Sequence, residues 1–258
     1  MLLIFGELYV ELRVTQDSLM QPVFGGALLR QAEAGGESGA RLRLLGRVGR
    51  DDYGRAIRSR VTGAEIEGML QEDDDRPTSL LLWGEEGIAY RMADARLQPP
   101  GDAFFDGGTL LHAGSWIFGQ DPGRTTAVEV FREGLRRGLA LSLDLRVARW
   151  ACRGDLEEVL RPYLPLGFMK IDADAAVALD IKPGELFQWA GQVLYFDGGT
   201  VRRLSLFEEK SYTLPAKASA DAIYGRFLAG VASGADADEA LRRALESADE
   251  REEPEDGS

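Results

Sequence analysis

The residues best placed to do chemistry lie late in the chain, in Pro215-Ala216-Lys217-Ala218-Ser219-Ala220-Asp221-Ala222. Upstream, Ser211-Tyr212-Thr213-Leu214 alternates like a strand; downstream, Ile223, Phe227 and Val231 recur at helical spacing. The pattern predicts strand, short turn, Asp221, helix. A helix mouth presents unpaired N–H groups and the positive end of the dipole, so it attracts anions. A carboxylate held there can accept a proton from an attacking hydroxyl, which is what phosphoryl transfer needs. Asp221 also reads as an ordinary N-cap, and on these residues alone both readings stand.

Other strings with chemical residues are weaker. Leu45-Gly46-Arg47-Val48-Gly49-Arg50-Asp51-Asp52-Tyr53-Gly54 reads as a strand ending in glycines before a helix that Asp51 caps. Its glycine spacing is not that of a dinucleotide fingerprint, and no Walker A lysine follows. Asp51-Asp52 and Asp73-Asp74-Asp75 are read as caps and solvated loops rather than as cation sites. His112 and Ser115 lack the Gly-x-Ser-x-Gly elbow of a serine hydrolase.

The elements that must position Asp221 follow from hydrophobic patterning. Leu2 to Phe5, Leu42 to Leu45 and Leu139 to Leu143 are continuous apolar runs, as strands buried on both faces require. Helical patterns at Ala27 to Ala34, Arg124 to Arg137 and Asp155 to Leu164 alternate with them, which predicts an α/β fold with a largely parallel sheet. Leu8 to Val14, Ser79 to Trp83 and Ile88 to Met92 break the alternation and are expected to form a small extra sheet. Gln192 to Phe196 and Val201 to Leu206 predict a hairpin turning at Asp197-Gly198-Gly199-Thr200.

Composition narrows the partners. With 258 residues, 45% hydrophobic and 28% charged, the chain suits one sizeable domain. Of the formal charge of −13, Glu246 to Ser258 contribute −6, with seven acids and one arginine, and −7 lies elsewhere. No basic run is present to bind a phosphate backbone, so a nucleic-acid partner is not expected. Cys152 and His112 are the only residues of their kinds, which excludes disulfides and Cys/His zinc sites. Met1-Leu2-Leu3-Ile4-Phe5 lacks a basic leader and is cut off by Glu7, so a core strand is expected rather than a signal peptide. No run approaches the roughly eighteen apolar residues of a membrane span. A cytoplasmic protein is expected, with a disordered acidic tail at 249–258.

Several segments, in order, resemble the PfkB or ribokinase-like carbohydrate kinases. They are Leu3-Ile4-Phe5-Gly6-Glu7-Leu8-Tyr9-Val10-Glu11-Leu12, Phe24-Gly25-Gly26-Ala27, the Leu45 to Gly54 string, Pro77-Thr78-Ser79, Tyr90-Arg91-Met92-Ala93, Asp144 with Arg146 and Trp150, and Ala218 to Asp221. The resemblance runs from about Leu3 to Leu245. It implies a ribokinase-like three-layer α/β fold over residues 1–248, with a mostly parallel central sheet and a small β lid at about 8–24 and 76–95. It further implies transfer of the ATP γ-phosphoryl to a hydroxyl of a sugar or related small molecule, with ATP and Mg2+ as cofactors. On this pattern Asp221 is the catalytic base, and Ala218, Ser219 and Ala220 form the anion hole. Glu11, Gly25, Gly26, Arg30 and Arg91 lie on the acceptor side. Asp197, Gly198 and Gly199 lie on the nucleotide side, and Asp172 and Asp174 offer metal ligands. A homodimer through the lid is an assembly that the resemblance allows.

The departures from the family pattern cluster at the chemistry. Glu11 replaces an Asp, Arg30 an Asn, and Asp172-Ala173-Asp174-Ala175 an Asn-x-x-Glu; Pro215 replaces an acid, and alanines stand at 218 and 220 for glycines. An alanine forced into left-handed φ would cost roughly 1–2 kcal/mol. These changes leave an impaired kinase, acting as a ligand-binding or scaffold protein, as the alternative, and Arg30 suggests an anionic acceptor.

Overall fold

The structure, a computed structural model, describes residues 1–14, 20–64, 66–84, 87–92, 97–146, 153–216 and 218–249. Strands β1 (Leu2–Phe5), β2 (Tyr9–Val14) and β3 (Met20–Phe24) precede helix α1 (Gly26–Glu37). Next come β4 (Leu42–Gly49), α2 (Asp52–Gly63), β5 (Glu67–Asp73), β6 (Ser79–Gly84) and β7 (Gly87–Met92). They are followed by β8 (Leu110–Gly114), α3 (Gly123–Arg136), β9 (Ala140–Leu145), α4 (Arg153–Leu160), β10 (Leu166–Asp172) and α5 (Ala173–Ala178). The last described elements are β11 (Ala190–Asp197), β12 (Thr200–Ser205), β13 (Glu209–Thr213), α6 (Ala220–Ala232) and α7 (Ala237–Asp249).

Nine strands form the central sheet in the order β13-β12-β11-β10-β9-β8-β1-β4-β5. From β5 to β11 every pairing is parallel, and β12 and β13 add antiparallel at one edge. Leu2 and Ile4 of β1 pack with α1, α2, α6 and α7, whereas Leu3 and Phe5 pack with α3 and α4. The period-2 alternation of a strand thus feeds two apolar layers, which is why β1 is a continuous apolar run. A second sheet, ordered β3-β2-β6-β7, joins β2 to β6 in parallel and forms antiparallel pairs at either side. It contains the extra strands expected from the sequence.

The Leu45 string is a strand that ends in a glycine, as read from the sequence: β4 continues past the apolar run Leu42 to Leu45 and ends at Gly49, with Arg43 to Gly49 paired with β5. Its glycines serve packing, since a Cβ on Gly46 would lie 2.4 Å from Leu8 and one on Gly49 2.5 Å from the Thr78 nitrogen. Asp51 does cap α2, accepting from the Gly54 N–H, and it also takes the Thr78 N–H and hydroxyl. Helix α4 ends at Leu160 rather than Leu164, and Pro162, which has no N–H to donate, falls in the 3-10 turn Arg161–Tyr163. The Asp197 hairpin forms as expected, with Gly198 at φ 54°. Trp150, Cys152 and residues 250–258 lie outside the described residues.

Two glycine positions fix where α1 sits. Gly25 and Gly26 take φ of 93° and 64°, and a Cβ on Gly26 would lie 2.4 Å from the Tyr9 ring, so the turn from β3 into α1 needs both glycines. On α6, a Cβ on Gly225 would lie 2.1 Å from the carbonyl oxygen of Gln31, so the two helices touch backbone to backbone. Gly225→Ala is expected to destabilise the protein by about 2 kcal/mol, as overpacking does. That corresponds to a fall in Tm of roughly 4–8 °C for a chain of this size, measurable by calorimetry.

Candidate active site

In an open parallel sheet, ligands bind beyond the carboxyl ends of the strands where the strand order reverses. Here the chain builds β4 and β5 on one side of β1 and then β8 to β11 on the other, so the reversal lies between β1 and β8. A cavity of about 20 Å³ sits there, lined by Tyr9, Gly114, Ser115, Trp116, Asp144 and Arg146 among others. Tyr9 and Trp116 stack across it with ring centroids 5.6 Å apart. In this arrangement the space suffices for about one water.

Beside the cavity, α6 presents Asp221 from its first turn. Ser219, not Asp221, occupies the N-cap position, so capping is not what the carboxylate does. It accepts instead from Arg30, with Nε at 3.0 Å and Nη2 at 2.9 Å on Oδ2. Oδ1 accepts from Arg146 Nη2 and faces Lys170 Nζ at 3.5 Å. Burial pushes the Asp221 carboxyl up, but Arg146, Lys170 and Arg30 together outweigh it and hold the group below the usual carboxylate range. Arg30 extends its remaining nitrogen, Nη1, to Glu11 Oε1 at 3.2 Å, which links α1 to β2.

Asp144 anchors the other cations. Its Oδ2 accepts from Arg146 Nε and from Gln31 Nε2, each at 2.7 Å, and its Oδ1 from Lys170 Nζ at 3.2 Å. Burial raises the Asp144 carboxyl, yet Arg146 and Lys170 bring it well below the usual range. Gln31 Oε1 faces His112 Nε2 at 2.8 Å, so that nitrogen donates, and Nδ1 accepts from Ser142 at 2.9 Å. Ser142 also bonds the Tyr224 hydroxyl at 2.8 Å. Because Tyr224 lies one helical turn after Asp221 on α6, the bonds close a ring through α6, β9, β8 and α1.

The structure gathers some of the sequence-derived site residues and separates others. Glu11, Arg30 and Asp221 share one ionic cluster, and Gly25 and Gly26 place α1 beneath it. Arg91 lies on β7 in register with Leu81, but its side chain lies outside the described residues. Ala218 already donates its N–H to the Pro215 carbonyl at 3.0 Å, so that amide is not aimed at a ligand as an anion hole requires. The Ala220 and Asp221 amides sit in the first helical turn, whose N–H groups point out of the helix mouth. Neither Ala218 nor Ala220 has positive φ, so the alanines carry none of the strain considered from the sequence.

Asp172 and Asp174 stand at the start of α5. Lys170 lies 3.3 Å from Asp172, whose side chain is 40% exposed and spends no bond on capping. Among the described residues no three His, Cys, Asp or Glu side chains gather as a metal cage. The 197–199 turn lies at the same carboxyl end of the sheet, Phe196 pairing with Asp172, and the Gly199 carbonyl accepts from Leu214 at 2.8 Å.

Lys170, Gln31 and the His112 ring adjoin the Asp144–Asp221 cluster, a placement that sequence reasoning did not find. One signal for Lys170 was available, a lone cation inside the apolar run Leu166 to Ile171, where both strand faces are covered. Gln31 had none, being one polar residue among several on α1.

Gln31→Leu removes a donor from Asp144 and the acceptor facing His112, and is expected to cost about 2 kcal/mol in urea unfolding. A second expectation concerns pH. Burial pushes His112 down to about 4, more than Asp144 raises it. The unfolded imidazole therefore binds protons between pH 6.5 and 4 while the folded one does not, so stability falls as pH drops through that window. Between pH 7 and pH 5 the loss is expected to be about 2 kcal/mol. A His112→Leu variant, lacking the only histidine, is expected to show a flatter profile over the same range, whatever its overall stability.

No protein-family model and no curated protein sequence matches the chain. Solved structures do. A fructokinase of Halothermothrix orenii matches with a TM-score of 0.78 at 20% identity, covering 96% of this chain and 97% of that one. A Vibrio cholerae fructokinase, crystallised with fructose, ADP and potassium, gives 0.81 at 18% identity, covering 96% and 89%. Aminoimidazole riboside kinase of Salmonella enterica gives 0.79 at 17% identity, covering 96% and 90%. Likeness at these identities establishes the architecture: the chain has the ribokinase-like α/β fold.

Proposed function

We propose that the protein is an ATP-dependent phosphotransferase of the carbohydrate-kinase type, acting on a hydroxyl of a small molecule. The observation that carries this reading is the position of Asp221, in the first turn of α6 beside the cavity where the strand order reverses. Among the structures of similar fold, fructokinase of Xylella fastidiosa was solved with ATP and a ribokinase-like protein of E. coli with ATP and Mg2+. The acceptor hydroxyl gives its proton to Asp221, its oxygen attacks the γ-phosphorus, and ADP leaves with the bonding electrons. Arg146 and Lys170, held in place by Asp144, offset the charge that develops on the phosphoryl oxygens. The small sheet is read as the lid, and the 197–199 turn as part of the nucleotide side.

Mg2+ fits as a companion of the nucleotide rather than as a resident ion. Such an ion needs only one or two carboxylates besides phosphate oxygens and water, and the half-exposed Asp172 with its neighbour Asp174 can supply them. When bound, it would spread the charge of the transferring group. The same proposal includes a cytoplasmic location and a homodimer through the small sheet, which light scattering tests. Among the described residues, no helix is long and apolar enough to cross a membrane.

One observation favours the second reading, a ligand-binding protein without turnover: the candidate base carries three cationic partners. ADP release with ATP, Mg2+ and a panel of sugars and nucleosides separates the two. Turnover is expected in the unaltered protein, and Asp221→Asn is expected to lower kcat by at least about 100-fold, the range for a lost general base. Turnover that survives this substitution would sink the assigned mechanism.

A further inference from the structure

Three cations surround Asp221, and they are not held alike. Lys170 is fully buried and shared with Asp144 and Asp172. Arg146 is fastened through its Nε to Asp144, which is itself fixed by Gln31. Arg30 has no such anchor: its described partners are Asp221, on α6, and Glu11, on the small sheet. Its side chain is 24% exposed, close to the 22% of Arg146, so the two arginines differ in what holds them and not in exposure. Arg30 is therefore the member of the cluster free to exchange a partner.

The proposed chemistry requires such an exchange. A carboxylate engaged by two guanidinium groups and an ammonium has no oxygen turned toward an incoming hydroxyl, and the cavity beside it holds about 20 Å³. Drawing Arg30 away from Asp221 frees Oδ2, on which both its Nε and Nη2 converge. A neutral acceptor offers the displaced guanidinium no counter-charge. A carboxylate or phosphate does, and it matches the paired N–H geometry that Nε and Nη2 now direct at one carboxylate.

Building on the phosphotransferase reading, we propose that the acceptor is an anionic hydroxyl compound, a sugar acid or a sugar phosphate, whose anion takes Arg30 from Asp221. Arg30 keeps Glu11, exchanges one carboxylate for the acceptor's anion, and vacates space next to the cavity. Asp221, still flanked by Arg146 and Lys170, then receives the hydroxyl proton as the oxygen–phosphorus bond forms and the bond to ADP breaks. Arg30 is thus both a specificity-determining residue and a guard against proton transfer without the correct acceptor.

Calorimetric titration of D-gluconate, D-fructose 6-phosphate and D-fructose tests this and distinguishes the two sources of anion. At least one anion is expected to bind tenfold or more tightly than fructose. Arg30→Gln is expected to erase that preference and Arg30→Lys to retain part of it, with circular dichroism confirming that each variant folds. Equal binding of fructose, binding of none of the three, or a preference that survives in Arg30→Gln would overturn the inference. Phosphoryl transfer from ATP to the same compounds is scored separately. Equal transfer to the neutral sugar leaves a kinase without anion selection, whereas Arg30-dependent anion binding without transfer to any compound removes the kinase reading and leaves the anion site.

Discussion

The contact on which the candidate site depends is made where a side chain is missing. At Gly225 the α6 backbone meets the carbonyl of Gln31 on α1, closer than any Cβ would permit. Helices packed through side chains ordinarily stand about 8–10 Å apart. The backbone contact brings two consecutive α1 residues within reach of different partners. Arg30 spans to Asp221 and Glu11, and Gln31 reaches Asp144 and His112. Tyr224, next to the contact glycine, reaches Ser142 on the sheet. Backbone proximity thus sets the geometry of both the ionic cluster and the neutral chain Gln31–His112–Ser142–Tyr224 beside it.

At the centre of the cluster Glu11, Asp144 and Asp221 balance Arg30, Arg146 and Lys170, with the half-exposed Asp172 at its margin. Charges so poorly solvated are costly to leave unpaired, about 3–5 kcal/mol for one broken buried pair. Any rearrangement must therefore exchange partners rather than simply separate them. Asp144, with donors on both oxygens, forms the fixed end. Arg30, shared between two acids on different elements, forms the adjustable end and ties the small sheet to the main body.

Much of the fold was legible in the sequence because parallel strands covered on both faces must be short apolar runs, and β1 is one. The glycines that end β4 were legible too, but not their work, which is to admit Leu8 at Gly46 and the backbone near Thr78 at Gly49. At the site, Asp221 could be placed at a helix mouth by periodicity alone. Its partners could not, because ion pairs between residues as distant as 30 and 221 leave no local pattern. The doubt attached to Ala218 and Ala220 came from type, not conformation; neither backbone is left-handed, and the amide of Ala218 is occupied by Pro215.

Arg30 and Asp221 are 191 positions apart, and that separation has a consequence for assembly during synthesis. Chains emerge with their earlier residues first, and contacts of long sequence separation are slow to form. Glu11, Arg30 and Gln31 are made early, followed by Asp144 and Lys170, and only then by α6. Until α6 docks, Arg30 can pair with Glu11 but not with Asp221, and the face of α1 that Gly225 will cover is bare. The segment that completes the ionic cluster is the same one that covers this face of α1, so a nascent chain closes the helix contact and the site in a single late event, and α7 then completes the layer.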